Sequence, residues 1–147
     1  MTKFREMLPP GARTFESRLQ VQWADVDVAG IMYFAAYSRF SEYAEMQLFA
    51  ELGFPYERVF AEYEFWLPRV HVEADYHAPA LMSDWLRMRT HIEHVGASSV
   101  RWKTVFFNER TNAPGAVWSF VVAAIDATTK RSRPLPEAIR AALLACV

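Results

Sequence analysis

Residues 34–52 constrain the fold most, because they predict a helix that is apolar around most of its circumference. Gly53 supplies a left-handed stop for this helix, and Pro55 follows shortly after. The few polar side chains recur three or four residues apart and form one narrow stripe: Ser38, Ser41, Glu42 and Glu45. A helix of this kind is buried. In a chain of 147 residues, the remaining segments must therefore wrap around it.

Segments on both sides of the helix predict the strands that wrap it. Residues 15–23 alternate apolar and polar side chains, and four further strand-like segments follow the helix: 63–77, 84–95, 98–108 and 115–125. Pro68 predicts a bulge or a sheet edge in the first of these four. The last is apolar on both faces, which is typical of a central or interface strand. Because short turns join antiparallel strands, we predict an α+β fold, with a curled antiparallel sheet of about five strands around one long helix.

Length and composition narrow the class of protein. A chain of this length is typical of one domain, and we expect an N-terminal arm over residues 1–13 and one domain over 14–147. The formal net charge of −1 argues against nucleic-acid binding by bulk charge. No apolar run is long enough to span a bilayer. Cys146 is the one cysteine and the N-terminus has no signal-like apolar region, so we expect a cytoplasmic protein.

The stretch WADVDVAGIMYF, residues 23–34, places Asp25 and Asp27 directly before the buried helix. An isolated pair of this kind is more often a helix cap or an Asx-turn than a catalytic site. An EF-hand calcium loop also begins with this spacing. Calcium is excluded because the fifth and twelfth positions of such a loop are Ala29 and Ala36 here, where carboxylates are needed.

Other catalytic and metal-binding patterns are weaker. No serine has the G-x-S-x-G setting of an α/β-hydrolase. His91 and His94 are three apart on a predicted strand, so we expect them on opposite faces of the sheet and predict no metal site.

Residues 15–140 resemble the hotdog-fold thioesterases, in particular the 4-hydroxybenzoyl-CoA thioesterase family with its Tol–Pal-associated acyl-CoA thioesterases. The matching positions follow the order V-x-W-x-D-x-D-x-x-G-x-x-Y-x-x-x-Y-x-x-x-x-E: Val21, Trp23, Asp25, Asp27, Gly30, Tyr33, Tyr37 and Glu42. The stretches DYHAPALMSD (75–84) and KRSRPLP (130–136) are similar to later family patterns. The resemblance implies a hotdog fold, hydrolysis of an acyl-CoA or aryl-CoA thioester, and a homodimer or homotetramer with sites at the subunit interface.

The resemblance also implies roles for single residues. Asp27 matches the catalytic aspartate, and the backbone N–H of Phe34 matches the group that polarises the thioester carbonyl. Glu42 matches an acidic helix position near the site in some members. We interpret Asp25 and Gly30 as residues that shape the loop.

The chemistry of thioester hydrolysis is compatible with so small a set of groups. A thiol has a pKa of about 8.5, so the thiolate leaves without a strong general acid. The free N–H groups of a helix N-terminus suit a developing oxyanion. The carboxylate then attacks the carbonyl carbon or deprotonates a water molecule, and the sequence leaves both routes open.

The remaining assignments concern how the substrate is held. Aromatic side chains that can line an acyl or aryl pocket are Tyr33, Tyr37, Phe65 and Trp66. Arg131 and Arg133 can contact the CoA phosphates. We expect no cofactor, since CoA is part of the substrate. Two alternatives are a non-catalytic acyl-CoA or acyl-carrier binding protein and a hotdog dehydratase, although no histidine lies between Val21 and Gly53 to serve as a dehydratase base.

Overall fold

A computed structural model describes residues 7–147, so residues 1–6 of the predicted arm lie outside the described part of the chain. A short 3-10 turn at Trp23–Asp25 follows the first strand. The strands and α-helices, in chain order, are β1 (Phe15–Gln20), α1 (Ala36–Glu51), α2 (Tyr56–Tyr63), β2 (Phe65–Trp66), β3 (Arg69–Tyr76), β4 (Trp85–Val95), β5 (Ser99–Asn108), β6 (Ala113–Ala123), β7 (Ile125–Asp126) and α3 (Glu137–Leu144).

Five strands form one antiparallel sheet in the order β1-β4-β5-β6-β3. The predicted curled sheet around one long helix is therefore confirmed. Strand β3 does not pair with β4, which follows it in the chain. Residues 77–84 instead carry the chain across the sheet, so that β3 pairs with β6 and forms an edge. Strands β2 and β7 form a separate two-stranded ribbon.

The buried side of α1 fills the curve of the sheet. Phe40, Leu48 and Phe49 are fully buried. The Phe49 ring meets the buried Trp102 ring of β5 edge-on, with 6.3 Å between ring centroids. Burial of such large apolar groups is the main favourable contribution to folding. No helix within residues 7–147 is both long and apolar enough to cross a bilayer.

Some local features differ from the predictions for the helical part of the chain. The polar stripe of α1 is not wholly solvated, because Ser41 and Glu45 are buried. Helix α2 was not predicted. It is short and amphipathic, buries Val59 and begins after Pro55. Helix α1 begins at Ala36, two residues later than expected.

Two β-bulges shape the sheet. The predicted irregularity at Pro68 is confirmed, because the pairing of β3 with β6 shifts register just after it, between Arg69 and His71. A second bulge lies in β4 between Ile92 and His94. The bulge makes the prediction that His91 and His94 lie on opposite faces wrong. The residues they pair with, Lys103 and Arg101, are two positions apart and therefore on one face.

Candidate active site

A tight turn over residues 27–31 presents the Asp27 side chain. The Asp27 N–H donates to the Ile31 carbonyl at 3.0 Å, and the Gly30 N–H donates to the Asp27 carbonyl at 2.9 Å. Gly30 has a φ of 76°, which a residue with a Cβ adopts only at a cost. Asp27 Oδ1 accepts the Ala29 N–H at 2.9 Å. Oδ2 of Asp27 accepts no hydrogen bond from residues 7–147, so one carboxylate oxygen is available for chemistry.

The 77–84 connection holds this turn in place. The Met32 N–H donates to the Ala80 carbonyl at 2.8 Å. Asp84 accepts the Leu81 N–H at 2.9 Å and two hydrogen bonds from the Arg110 guanidinium, at 2.7 and 3.0 Å. Burial alone raises the pKa of Asp84, but the hydrogen bonds outweigh it and hold that pKa below its ordinary value. Asp84 is therefore an ionised anchor for the connection.

Asp25 ties the same loop to α1. Its side chain is 4% exposed. Its carboxylate accepts the Gln22 N–H at 2.8 Å, and its two oxygens lie 2.7 and 2.8 Å from Arg39 Nη2. The Asp25 carbonyl accepts the Tyr33 N–H at 3.1 Å. These bonds fix both ends of the loop, and they leave Asp25 no free oxygen facing the solvent.

Asp27 opens onto a cavity of about 430 Å³ at the N-terminal end of α1, here called the Asp27 cavity. It brings together four of the predicted site residues, Asp27, Tyr33, Phe34 and Tyr37, and adds Tyr76 from β3. The Phe34 N–H donates to no acceptor in the described part of the chain, because Phe34 lies in the turn that precedes α1. The residues that line the cavity thus include one with a carboxylate, Asp27, and one with an unpaired backbone N–H, Phe34.

A second cavity of about 320 Å³, the Glu45 cavity, lies further along α1. The rise of an α-helix puts Glu45 about 12 Å from Tyr37. Glu45 is 1% exposed, and its carboxylate accepts hydrogen bonds from the Tyr56 hydroxyl and the Arg69 guanidinium. Burial raises the pKa of Glu45, although Arg69 and Tyr56 oppose the rise. The predicted residues Glu42 and Trp66 line this cavity, not the Asp27 cavity.

Residues 21–143 match the family model of the thioesterase-like superfamily. The chain belongs to this superfamily. A 1,4-dihydroxy-2-naphthoyl-CoA hydrolase from Synechococcus sp. (strain CC9605) is 31% identical over 125 residues, which cover 81% of this chain and 82% of the relative. The acyl-CoA thioester hydrolase YbgC from Escherichia coli O6:H1 is 28% identical over 129 residues, which cover 85% of this chain and 92% of the relative.

Comparison with a solved structure confirms the predicted hotdog fold. The crystal structure of a 1,4-dihydroxy-2-naphthoyl-CoA thioesterase from Synechocystis matches with a TM-score of 0.81 at 23% identity. The match covers 90% of this chain and 96% of the other.

Two residues that the sequence analysis placed at the substrate, Phe65 and Arg133, contact other parts of the protein in the structure. Phe65 is fully buried in the hydrophobic core and lines neither cavity, because the alternation of β2 points it inward and the half-exposed Trp66 outward. Arg133 donates to the Tyr63 and Glu64 carbonyls at 3.0 and 3.3 Å, and so caps the end of α2. Arg131 lies on the surface near β7.

Tyr76 and the cluster around Glu45 are the site features that sequence reasoning missed. Tyr76 lies in the DYHAPALMSD stretch, whose similarity to the superfamily pattern was the available signal. Its ring meets the Tyr37 ring edge-on, with centroids 5.2 Å apart. Burial raises the pKa of Tyr37 to about 12, so this phenol is neutral at physiological pH.

The cluster around Glu45 joins two residues that are 24 positions apart, Glu45 and Arg69, which no local sequence pattern connects.

Proposed function

We propose that this protein is an acyl-CoA thioesterase that hydrolyses a CoA thioester to a carboxylate and free CoA. The observation that carries the proposal is the Asp27 cavity, which is lined both by Asp27, whose carboxylate has one free oxygen, and by Phe34, whose backbone N–H is unpaired. The relatives support it, since both are named as hydrolases of CoA thioesters.

In the proposed reaction the thioester carbonyl oxygen accepts the Phe34 N–H. That donor stabilises the negative charge which develops on the oxygen. Oδ2 of Asp27 either attacks the carbonyl carbon, giving an anhydride that water then hydrolyses, or takes a proton from a water that attacks the same carbon. In both routes the tetrahedral intermediate collapses and expels the CoA thiolate. Oδ1 keeps its bond to the Ala29 N–H, which holds the carboxylate in place.

We further propose that two copies pair through β3 to form a homodimer. This strand has eight residues, pairs with β6 on one side only, and exposes Val70 and Val72 by 62% and 49%. An exposed edge strand of this length leaves a row of unpaired backbone N–H and C=O groups, which is a template for pairing with another strand. Two-fold pairing would join the two sheets into one of ten strands.

Charge distinguishes three possible positions of the two-fold axis: Val72, Glu73 and Ala74. An axis at Val72 sets His71 against Glu73 of the partner subunit. An axis at Glu73 would oppose two Glu73 carboxylates, and an axis at Ala74 would oppose Glu73 and Asp75. Like charges directly opposite each other destabilise a sheet, so the Val72 axis is favoured.

Pairing centred on Val72 completes the substrate site. It sets Tyr76, at the Asp27 cavity of one subunit, opposite the 68–69 segment of the other subunit. The Asp27 cavity of one subunit then adjoins the Glu45 cavity of the other. Glu42 and Trp66 of the partner subunit would face the acyl group, and Arg131 of the partner subunit would lie near the CoA phosphates.

The test is the rate of CoA-thiol release over a panel of short-chain, long-chain and aromatic acyl-CoAs. Asp27→Asn should lower kcat by about 10²- to 10⁴-fold, the usual contribution of a catalytic carboxylate. Glu62→Gln is the matched control, because it makes the same carboxylate-to-amide change on an exposed part of α2.

Each alternative has its own outcome in this assay. Full activity in Asp27→Asn would show that Asp27 is not the catalytic group. Saturable binding of acyl-CoA by the wild type, with no thiol released from any substrate, would make the protein a binding module. Enoyl absorbance from 3-hydroxyacyl-CoA would make it a dehydratase.

A further inference from the structure

Tyr37 brings to the Asp27 cavity a hydroxyl group that the protein itself does not bind. The residue is 3% exposed, and its hydroxyl makes no hydrogen bond to any group within residues 7–147. Four polar side-chain atoms in the described part of the chain are both unpaired and sealed from solvent, and the Tyr37 hydroxyl is not one of them. Of the two cavities, Tyr37 lines the Asp27 cavity and not the Glu45 cavity. Its hydroxyl is therefore open to the Asp27 cavity and free to bind a ligand there.

Three aromatic neighbours hold the Tyr37 ring in place. Tyr76 of β3 and Phe106 of β5 meet this ring edge-on, with centroids at 5.2 and 5.1 Å from its own. Trp118 of β6 stacks on it at a centroid distance of 6.5 Å. These are the arrangements that aromatic pairs favour. The hydroxyl oxygen therefore has a fixed position, and only its proton rotates to meet an acceptor.

The Tyr37 side chain lies at the same end of α1 as the proposed backbone donor. Side chains of a helix lean toward its N-terminus, so Tyr37, in the first turn of α1, leans toward the turn that contains Phe34. Tyr76 contacts both residues, because its ring meets the Tyr37 ring and its hydroxyl donates to the Phe34 carbonyl at 3.1 Å. That hydrogen bond occupies the Tyr76 proton. Of these two phenols, Tyr37 is thus the one whose proton is free.

The Tyr37 hydroxyl is a neutral donor that needs an acceptor when a substrate fills the cavity. Burial, with a smaller contribution from the nearby Tyr76 phenol, raises the pKa of Tyr37 to about 12, so the proton is present at neutral pH. Water can accept this hydrogen bond while the cavity is open. A bound substrate excludes that water, and a hydroxyl buried without a partner is unfavourable. Every CoA thioester brings one strong acceptor to Asp27, the carbonyl oxygen, because its sulfur accepts only weakly.

We propose that the Tyr37 hydroxyl is a catalytic hydrogen-bond donor, which acts with the Phe34 N–H on the thioester carbonyl oxygen. This inference rests on the proposed thioesterase function. When Oδ2 of Asp27, or a water that it deprotonates, adds to the carbonyl carbon, the C=O electron pair moves onto the oxygen, which accepts both hydrogen bonds. The pair returns as the C–S bond breaks and the CoA thiolate leaves, and Tyr37 keeps its proton throughout. Two donors that are fixed before the charge develops stabilise it more than one does.

The test is Tyr37→Phe, which removes the hydroxyl and keeps the ring with its three aromatic contacts. We expect kcat to fall about 10²-fold, as for loss of one oxyanion donor, and KM to change less than about threefold, because the bond acts mainly in the transition state. Tyr43→Phe is the matched control, since it makes the same change on α1 at a residue that lines neither cavity. The Tm of Tyr37→Phe should equal or exceed that of the wild type, because the protein loses no hydrogen bond of its own.

Inhibitor binding separates donation to the oxyanion from a structural role or from binding of the ground state. The probes are a CoA trifluoromethyl ketone, whose addition product carries an oxyanion, and a CoA thioether, which has no carbonyl at that position. Tyr37→Phe should weaken the ketone at least about tenfold and change the Kd of the thioether less than about twofold. Equal weakening of both probes, or a higher KM with unchanged kcat, would overturn the inference. So would a fall in Tm of more than about 3 °C, which would reveal a hydrogen-bond partner within the protein.

The same assays tell failure of this inference from failure of the proposed function. If the wild type hydrolyses no thioester, the proposed function fails and this inference fails with it. If Asp27→Asn is impaired while Tyr37→Phe keeps the wild-type kcat, the thioesterase function stands and the role of Tyr37 alone is refuted.

Discussion

Replacing Arg69 by methionine should destabilise the fold in a manner that depends on pH. Arg69 donates to the Glu45 carboxylate, which is 1% exposed on its side chain, whereas the Arg69 side chain is 35% exposed. Removing one partner of a fully buried ion pair costs about 3–5 kcal/mol. Water reaches the Arg69 side of this pair, so we take about half of that figure, or about 2 kcal/mol at neutral pH. Methionine keeps much of the apolar contact that the arginine stem makes with the Phe120 ring.

The pH dependence follows from Glu45. Burial raises its pKa above the ordinary value of 4.5. Between the ordinary and the raised value, the folded state binds more protons than the unfolded state, so stability is greatest at low pH and falls as pH rises through this window. A protonated Glu45 needs no cation beside it. The destabilisation by Arg69→Met should therefore be largest near pH 8 and shrink toward pH 5.

Thermal melts from pH 5 to 8 measure both effects. For a chain of this length, a loss of about 2 kcal/mol lowers Tm by roughly 4–8 °C. Arg58→Met, at an exposed position of α2, is the control for the loss of an arginine. Protein concentration must be constant and sedimentation checked, because Arg69 lies on the proposed dimer edge. A Tm change below about 1 °C at every pH, or a loss of equal size at pH 5 and pH 8, would refute the reasoning.

The other predictions concern the loop and the sheet edge. Asp25→Asn should lower stability by about 1–3 kcal/mol in denaturant titrations, because the amide cannot replace the buried carboxylate that binds Arg39; an unchanged midpoint would show that this pairing is dispensable. Gly30→Ala should lower stability by about 1–2 kcal/mol and reduce kcat, since alanine is strained at a φ of 76°; wild-type values for both would contradict a role for this turn. Val72→Cys should form a disulfide-linked dimer on mild oxidation, because a residue on the two-fold axis lies directly opposite its own copy. If Glu73→Cys cross-links efficiently and Val72→Cys does not, the axis lies one residue further along β3.

Local sequence patterns predicted the parts of the fold that local physics controls. The apolar helix, the alternating strands and the irregularity at Pro68 each follow from side-chain period or backbone restriction within a few residues. The turn around Asp27 and the helix start also lie in one stretch of sequence. For this reason four predicted residues from that stretch lie around one cavity.

The features that were missed depend on residues far apart in the chain. The pairing of β3 with β6, past the sequence-adjacent β4, is decided by how the sheet curls around α1. From sequence alone, a glutamate on a helix is expected to face the solvent unless a partner for it is known. The partner of Glu45, Arg69, is the first residue of a strand that begins 24 residues later. The bulge in β4, which puts His91 and His94 on one face, was missed although the alternation breaks there: the next buried apolar residue after Ile92 is Val95, three positions later and not two.

The contacts between α1 and β3 explain why the predicted site residues fall into two cavities of one subunit. The two elements run in opposite directions and touch at both ends, through Tyr37 and Tyr76 at one end and Glu45 and Arg69 at the other. A two-fold axis through the middle of β3 exchanges these ends. Under the proposed pairing, a substrate whose carbonyl lies at Asp27 extends its acyl group toward Glu42 and Trp66 of the partner subunit. The choice of acyl group then depends on side chains that line the Glu45 cavity, not the Asp27 cavity, of their own chain, and this selectivity is lost when the edge strands separate.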